Sequence, residues 1–381
     1  MQNILITGGA GFIGSRLALA LKARGCTVTV LDNLSPQIHG VDARNSALFK
    51  AIAGQVRFIE ADVTDRDALT QALAGQHAVV HYAAETGTGQ SMYQIDRYAR
   101  VNVGGTSLLL DILANSPPDM PHGVRRLVVA SSRSIYGEGK YRSAEHGVVY
   151  PGHRSAKAMA GGDFNVHPPA GGSPLQLLAT DEESLIHPSS VYGITKQVQE
   201  QLVMTVCPTI GVEGVALRYQ NVYGPGQSLA NPYTGILSIF SNLIMSGKSI
   251  NIFEDGRESR DFVYIDDVVQ ATMQALFKPA AAHGVFNVGS GVPVDVMTVA
   301  RTLVQLLGIE VPISVSGNFR LGDIRHNYAC LDKASRLLSF TPRFDFNTGL
   351  RLFCDWVRMQ GPVQSDYEGS ITEMKQKGLL Q

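Results

Sequence analysis

Apolar residues in this chain fall in short continuous runs, and amphipathic stretches separate the runs. Asn3-Ile4-Leu5-Ile6-Thr7 is the first run, the pattern of a strand covered on both faces. Residues 27–32, 56–62, 78–84, 126–132 and 214–221 repeat it. Between them lie helical stretches: an Ala/Leu-rich segment ending at Gly25, residues 65–73, and a long one over 93–115. Alternation of this kind predicts an α/β fold, a Rossmann-type doubly wound parallel sheet. Its ligand would sit at the carboxyl ends of the strands.

The rhythm breaks over residues 138–187, where Gly161-Gly162, Pro168-Pro169 and Gly171-Gly172 interrupt any periodicity. This predicts an irregular excursion on the surface. His146, His153 and His167 lie in it without cysteines or tight spacing, so no metal site is expected. Beyond Val222-Tyr223-Gly224-Pro225-Gly226 the elements shorten: a strand over 249–253 and helices over 266–276 and 296–307. The division expected is a dinucleotide-binding domain over 1–226 and a smaller C-terminal α/β substrate lobe over 227–381. Some later segments are allowed to return to the first domain.

Composition narrows the function by exclusion. A net charge of −1 and a pI near 6.8 leave no electrostatic footprint for nucleic acid or an anionic membrane. No apolar run reaches the length needed to span a bilayer. The chain opens directly on strand-like residues, so no signal peptide is expected. Cys26, Cys207, Cys330 and Cys354 are scattered, which suits a reducing cytoplasm.

Two motifs carry the chemistry. Gly8-Gly9-Ala10-Gly11-Phe12-Ile13-Gly14 joins the first strand to the first helix, a GxxGxxG spacing. Such glycines make a tight turn and let backbone approach a pyrophosphate at the helix N-terminus. Asp32 ends the second strand, where a carboxylate binds ribose hydroxyls and repels a 2′-phosphate. Asn33-Leu34-Ser35 follow it with no arginine, which favours NAD over NADP. The second motif is Ser190-Val191-Tyr192-Gly193-Ile194-Thr195-Lys196. Tyr192 and Lys196 are four apart and share a helix face, and a neighbouring ammonium favours a phenolate base. Ser131 and Ser132 close the strand over 126–132.

Taken with Asp62-Val63, Arg218-Tyr219-Gln220-Asn221 and Arg260-Asp261-Phe262-Val263-Tyr264-Ile265-Asp266-Asp267, the chain resembles an extended short-chain dehydrogenase/reductase of the nucleotide-sugar epimerase/dehydratase family. The resemblance implies roles residue by residue. Tyr192 would be the base, Lys196 would hold the nicotinamide ribose and lower the tyrosine pKa, and Ser132 would hydrogen-bond the reacting oxygen. Gly8, Gly11, Phe12, Ile13, Gly14, Asp32, Asn33, Asp62, Val63, Tyr82, Ala83, Ala84, Thr86, Asn102 and Tyr219 would surround NAD. Asn221, Arg260 and Arg320 would meet the substrate's diphosphate, and Arg257 and Arg325 lie in the same lobe. The implied partners are a nucleotide-diphosphate sugar and a second copy of the chain, paired through helices over 94–115 and 191–206.

Two departures refine the expectation. Family 4,6-dehydratases carry Asp-Glu after the Ser132 position to eliminate water, whereas Arg133-Ser134 stand here; 4-epimerisation through a 4-keto sugar therefore leads. Ser132 and Tyr192 also stand about twice as far apart as the family spacing, so the intervening segment must loop out. The stretches Asn231-Pro232-Tyr233-Thr234-Gly235-Ile236-Leu237 and Phe253-Glu254-Asp255-Gly256-Arg257 are similar to the branch interconverting dTDP-L-rhamnose and dTDP-6-deoxy-L-talose. UDP-hexose 4-epimerisation, net reduction or dehydration, and a non-enzymatic dinucleotide sensor are the competing readings.

Overall fold

Strands that are apolar on both faces need cover on both, and the chain supplies it with helices. The computed structural model describes residues 2–116, 123–168, 171–233 and 235–381, so Pro169 and Thr234 of the stretches above lie outside it. Seven strands form the central sheet: β1 (Asn3–Thr7), β2 (Thr27–Asp32), β3 (Arg57–Glu60), β4 (Ala78–His81), β5 (Arg126–Ser132), β6 (Glu213–Tyr219) and β7 (Val285–Val288). They run parallel in the order β3-β2-β1-β4-β5-β6-β7. The order reverses between β1 and β4, which opens a crevice at their carboxyl ends.

Helices α1 (Phe12–Ala23), α2 (Gly105–Ala114), α3 (Val191–Thr209) and α4 (Ile265–Phe277) cover the sheet. Ile4 and Ile6 pack with Leu17 and Val268 on one face. Leu5 packs with Leu109, Leu127 and Val203 on the other. The two-residue period of β1 thus feeds both layers.

Two segments beyond residue 226 return to the main sheet. Helix α4 packs on α1, and β7 pairs with β6 at the edge of the main sheet. Residues 266–276 therefore belong to the dinucleotide domain. The rest of the lobe is built on Asn221–Tyr223, Ser259–Tyr264, Pro293–Asp295 and His326–Asn327. Tyr223, Phe240, Phe262, Leu303 and Phe353 fill its core.

Residues 93–115 are not one uniform helix. Ile95–Tyr98 is α-helical, Ala99–Gly104 is a π-helical turn, and α2 follows. Such turns insert into otherwise α-helical runs, and periodicity does not reveal them.

Described residues of the 138–187 segment form regular elements. Tyr141–Ser143 pairs antiparallel with Gly147–Val149 and with Gln176–Leu177, and Ser155 caps the helix Ala156–Ala160. Strands of two and three residues are too short to display alternation, so the sequence read as irregular. Buried ion pairs strap it to the smaller lobe: Arg154 lies 3.1 Å from Glu138 and 2.7 Å from Glu254. Arg325 joins the cluster, 3.0 Å from Glu254 and 2.6 Å from Asp255. Among the described residues no helix is long and apolar enough to cross a membrane.

Candidate active site

The crevice is a cleft of about 600 Å³ running between the main sheet and the smaller lobe. Its dinucleotide end is shaped by glycines. Gly8 has φ +67°, and a Cβ there would meet Ala83 N at 2.6 Å. One on Gly14 would meet Gly8 O at 2.5 Å. No side chain caps α1, so its first amides are left for an anion. Asp32 is aimed by the same turn: Oδ2 accepts from Ala10 N at 3.0 Å and Oδ1 from Leu34 N at 2.9 Å. Burial raises its pKa, while these amides and His39 hold it down. Beside it, Asn33 donates to Asp62 at 2.9 Å. The bare cradle and the carboxylate at the end of β2 fit the adenosine pyrophosphate half of NAD.

The middle of the cleft is built by β5 and α3. Ser190 caps α3, accepting from Gly193 N at 3.1 Å. Gly193 lets the helix end sit against the turn after β5, where a Cβ would meet Ser134 O at 2.7 Å. Ser132 Oγ accepts from Ser134 N at 3.2 Å and Ser134 Oγ at 2.8 Å. Its own proton is thereby left available to the Tyr192 hydroxyl, whose ionised form it favours. Burial pushes the Tyr192 phenol above its usual range, and Ser132 and the Arg133 guanidinium pull it only part of the way back. Lys196 Nζ is 6.0 Å from the Tyr192 ring and donates to Ala130 O at 3.0 Å. Burial brings its pKa down to about 7. Glu200 fixes the helix from the next turn, taking Arg218 at 2.6 and 3.0 Å and Ser131 at 2.6 Å. Below the site, the hydroxyls of Tyr82 and Tyr219 meet each other at 3.0 Å and both reach Thr272 of α4.

At the far end stand two arginines. Arg260 is oriented by the carbonyls of Ser259, Ile324 and Arg325 at 2.7–3.0 Å. Arg320 pairs with Asp323 at 3.0 Å and lies over Phe253. Together with Asn221 they line the cleft, an arrangement suited to a diphosphate.

The model of the NAD dependent epimerase/dehydratase family matches residues 4–156 and 165–289. The chain belongs to that family. It is 38% identical to a dTDP-L-rhamnose 4-epimerase of Burkholderia thailandensis, over 94% of this chain and 96% of that protein. A UDP-glucose 4-epimerase of Thermotoga maritima, solved with UDP-glucose, superposes with a TM-score of 0.75. It is 28% identical and matches over 94% of this chain and 99% of its own. A UDP-glucuronic acid 4-epimerase of Bacillus cereus, solved with UDP-glucuronic acid and NAD, gives a TM-score of 0.75 at 25% identity. There the coverage is 94% of this chain and 100% of the other.

In this epimerase/dehydratase chain nearly all the residues named from the sequence converge on the cleft: Gly8, Gly11, Phe12, Ile13, Gly14, Asp32, Asn33, Asp62, Val63, Tyr82, Ala83, Ala84, Thr86, Ser132, Tyr192, Lys196, Tyr219, Asn221, Arg260 and Arg320. Asn102 does not line it. Its side chain accepts from Glu85 N at 2.7 Å and donates to Glu85 O at 3.1 Å and Thr195 at 2.9 Å. It therefore ties the cleft-lining loop to α3 from behind. Arg325 is consumed by the buried ion pairs, and Arg257 is exposed outside the cleft. Sequence reasoning missed His39, Thr272 and α5 (Tyr367–Gln376), whose Tyr367, Ile371 and Met374 wall the far end. Only Arg133 had left a signal, as the residue replacing the dehydratase acids.

Proposed function

We propose that this enzyme is a nucleotide-sugar 4-epimerase that converts dTDP-L-rhamnose to dTDP-6-deoxy-L-talose through a 4-keto sugar. Membership of the family carries the coarser statement, an NAD-dependent isomerase of nucleotide sugars. The observation that supports the reaction is that Ser132, Tyr192 and Lys196 line one cleft, where Arg133 and Ser134 replace any acid pair able to expel a hydroxyl. The 38% identity to the Burkholderia enzyme over nearly both chains supports the sugar.

NAD supplies the hydride acceptor and donor at C4. The chain's own residues do the rest. Tyr192 removes and returns the O4 proton, Ser132 donates to the same oxygen, and Lys196 turns towards the nicotinamide ribose. Gly8, Gly11 and the first amides of α1 hold the pyrophosphate, while Asp32 and Asn33 take the adenosine ribose. Asp62 and Val63 flank the adenine, and Tyr82, Ala83, Ala84, Thr86 and Tyr219 border the riboses. Asn221, Arg260 and Arg320 grip the substrate diphosphate, which leaves the sugar free to turn between the two hydride transfers. Two copies pair across the outer faces of the helices beside the site, where Ile95 and Ile194 are 55% and 49% exposed.

The test is incubation with dTDP-L-rhamnose, UDP-glucose and UDP-glucuronate, read by NMR at C4. Interconversion of dTDP-L-rhamnose with its C4 epimer, with no net change in nicotinamide absorbance, is expected. Faster turnover of either UDP-sugar would replace the proposed substrate. Steady oxidation or reduction of nicotinamide would replace epimerisation.

A further inference from the structure

Arg133 opens the short helical turn Arg133–Tyr136 directly after Ser132 at the carboxyl end of β5. Its side chain lines the cleft together with Tyr192, Arg260 and Asp323. The other two arginines of the cleft have fixed partners, Arg260 in backbone carbonyls and Arg320 in Asp323. Arg133 makes no hydrogen bond or ion pair with any described residue. A half-buried guanidinium with no partner among the described residues leaves its charge uncompensated. That makes sense where an anion forms during the work of the site.

We infer that Arg133 is a positioning residue for the reaction: its guanidinium is the counter-charge that favours the deprotonated form of Tyr192 that takes the sugar proton. The inference rests on the proposal that Tyr192 is the base. The groups facing Tyr192 leave few alternatives. Tyr98 meets its ring edge-on at 6.4 Å, a phenol whose hydroxyl donates to Thr86 O at 2.6 Å. Behind Tyr98, Glu85 and Arg97 neutralise each other at 2.9 Å. Lys196 on the same helix faces Ala130 O and, at about 7, is only partly protonated at neutral pH. Burial lowers Arg133 to about 9, with Arg260 adding to the effect and Asp323, Tyr192 and Glu138 opposing it. Arg133 thus remains a cation at pH 7, while Lys196 loses part of its charge.

The sign follows directly. A cation beside a phenol favours the phenolate, so removing it raises the phenol pKa and moves the acid limb of activity to higher pH. The experiment compares NAD-loaded wild-type enzyme with R133K, R133Q, R133M and Y192F by titrating the ultraviolet tyrosinate absorbance without substrate. Subtracting the Y192F curve isolates Tyr192. R133M and R133Q are expected to move that transition up by about one pH unit or more, with R133K restoring part of the shift. The acid limb of kcat/KM is expected to move with it. A transition that stays at the wild-type pH in R133M and R133Q overturns the inference, and a raised KM alone would then make Arg133 a substrate ligand for a sugar carboxylate. Because the titration needs no sugar, it reads Arg133 even if every nucleotide sugar of the panel is inert. Circular dichroism confirms that the variants compared are folded.

Discussion

Lys196 Nζ lies 3.0 Å from the carbonyl oxygen of Ala130, two residues before Ser132 on β5. The lysine of the Tyr192-x-x-x-Lys196 motif is therefore fixed to the strand that carries the serine, and its ammonium is buried. An unfolded lysine titrates near ~10.4, whereas burial brings this one to about 7. Below pH 7 both states hold the proton, and the folded state carries the full cost of a buried charge. Between about 7 and 10 the unfolded chain binds more protons, so stability rises with pH there. Cofactor-free K196M should therefore melt higher than wild type below about pH 7, and the gap should close towards pH 10. Scanning calorimetry across that range checks it.

Replacing Tyr192 by Phe removes the proton acceptor without altering the glycine cradle. A fall in kcat of about 10²–10⁴-fold is expected, with the NAD content of the purified protein unchanged. Extraction of the bound nucleotide and a turnover assay read the two quantities separately. Loss of NAD together with activity would assign Tyr192 to cofactor binding instead.

Gly193 places the first turn of α3 against Ser134. In Gly193→Ala the new methyl would begin 2.7 Å from Ser134 O, so the helix end must shift away from Ser132. Misplacement of about 1 Å in such a site costs on the order of 100-fold in rate. A loss of that size in kcat, with far-ultraviolet circular dichroism retained, is the expected result.

Arg154 neutralises Glu138 and Glu254, all three buried. Arg154→Met would leave Glu138 without a cationic partner and Glu254 with Arg325 alone, inside the joint between the 138–187 segment and the smaller lobe. Breaking a buried pair in this way costs about 3–5 kcal/mol. Urea unfolding should show a lower midpoint, and an unchanged midpoint would mean that the strap does not hold the segment.

Ile95 and Ile194 stand exposed near each other's helices beside the site. If copies pair there, Ile95→Glu with Ile194→Glu should halve the mass seen by light scattering while the melting of the monomer survives. A wild-type mass already equal to one chain would rule the pairing out.

The sequence by itself determined what is written locally. The glycine spacing after β1, Asp32 at the end of β2 and the four-residue step from Tyr192 to Lys196 are short-range constraints set by turn, strand and helix geometry. Reading them needs no knowledge of neighbours. Only the tertiary structure decided the return of α4 and β7 to the main sheet, the short elements among the described residues of 138–187, the placement of Asn102 behind the cleft wall, and Arg133 in the cleft with no hydrogen-bond or ion-pair partner among the described residues. These depend on burial and on pairing between segments far apart in the chain. Charge and hydrogen bonding there are set by whichever groups the fold brings within a few ångströms, and no periodicity of the chain encodes that.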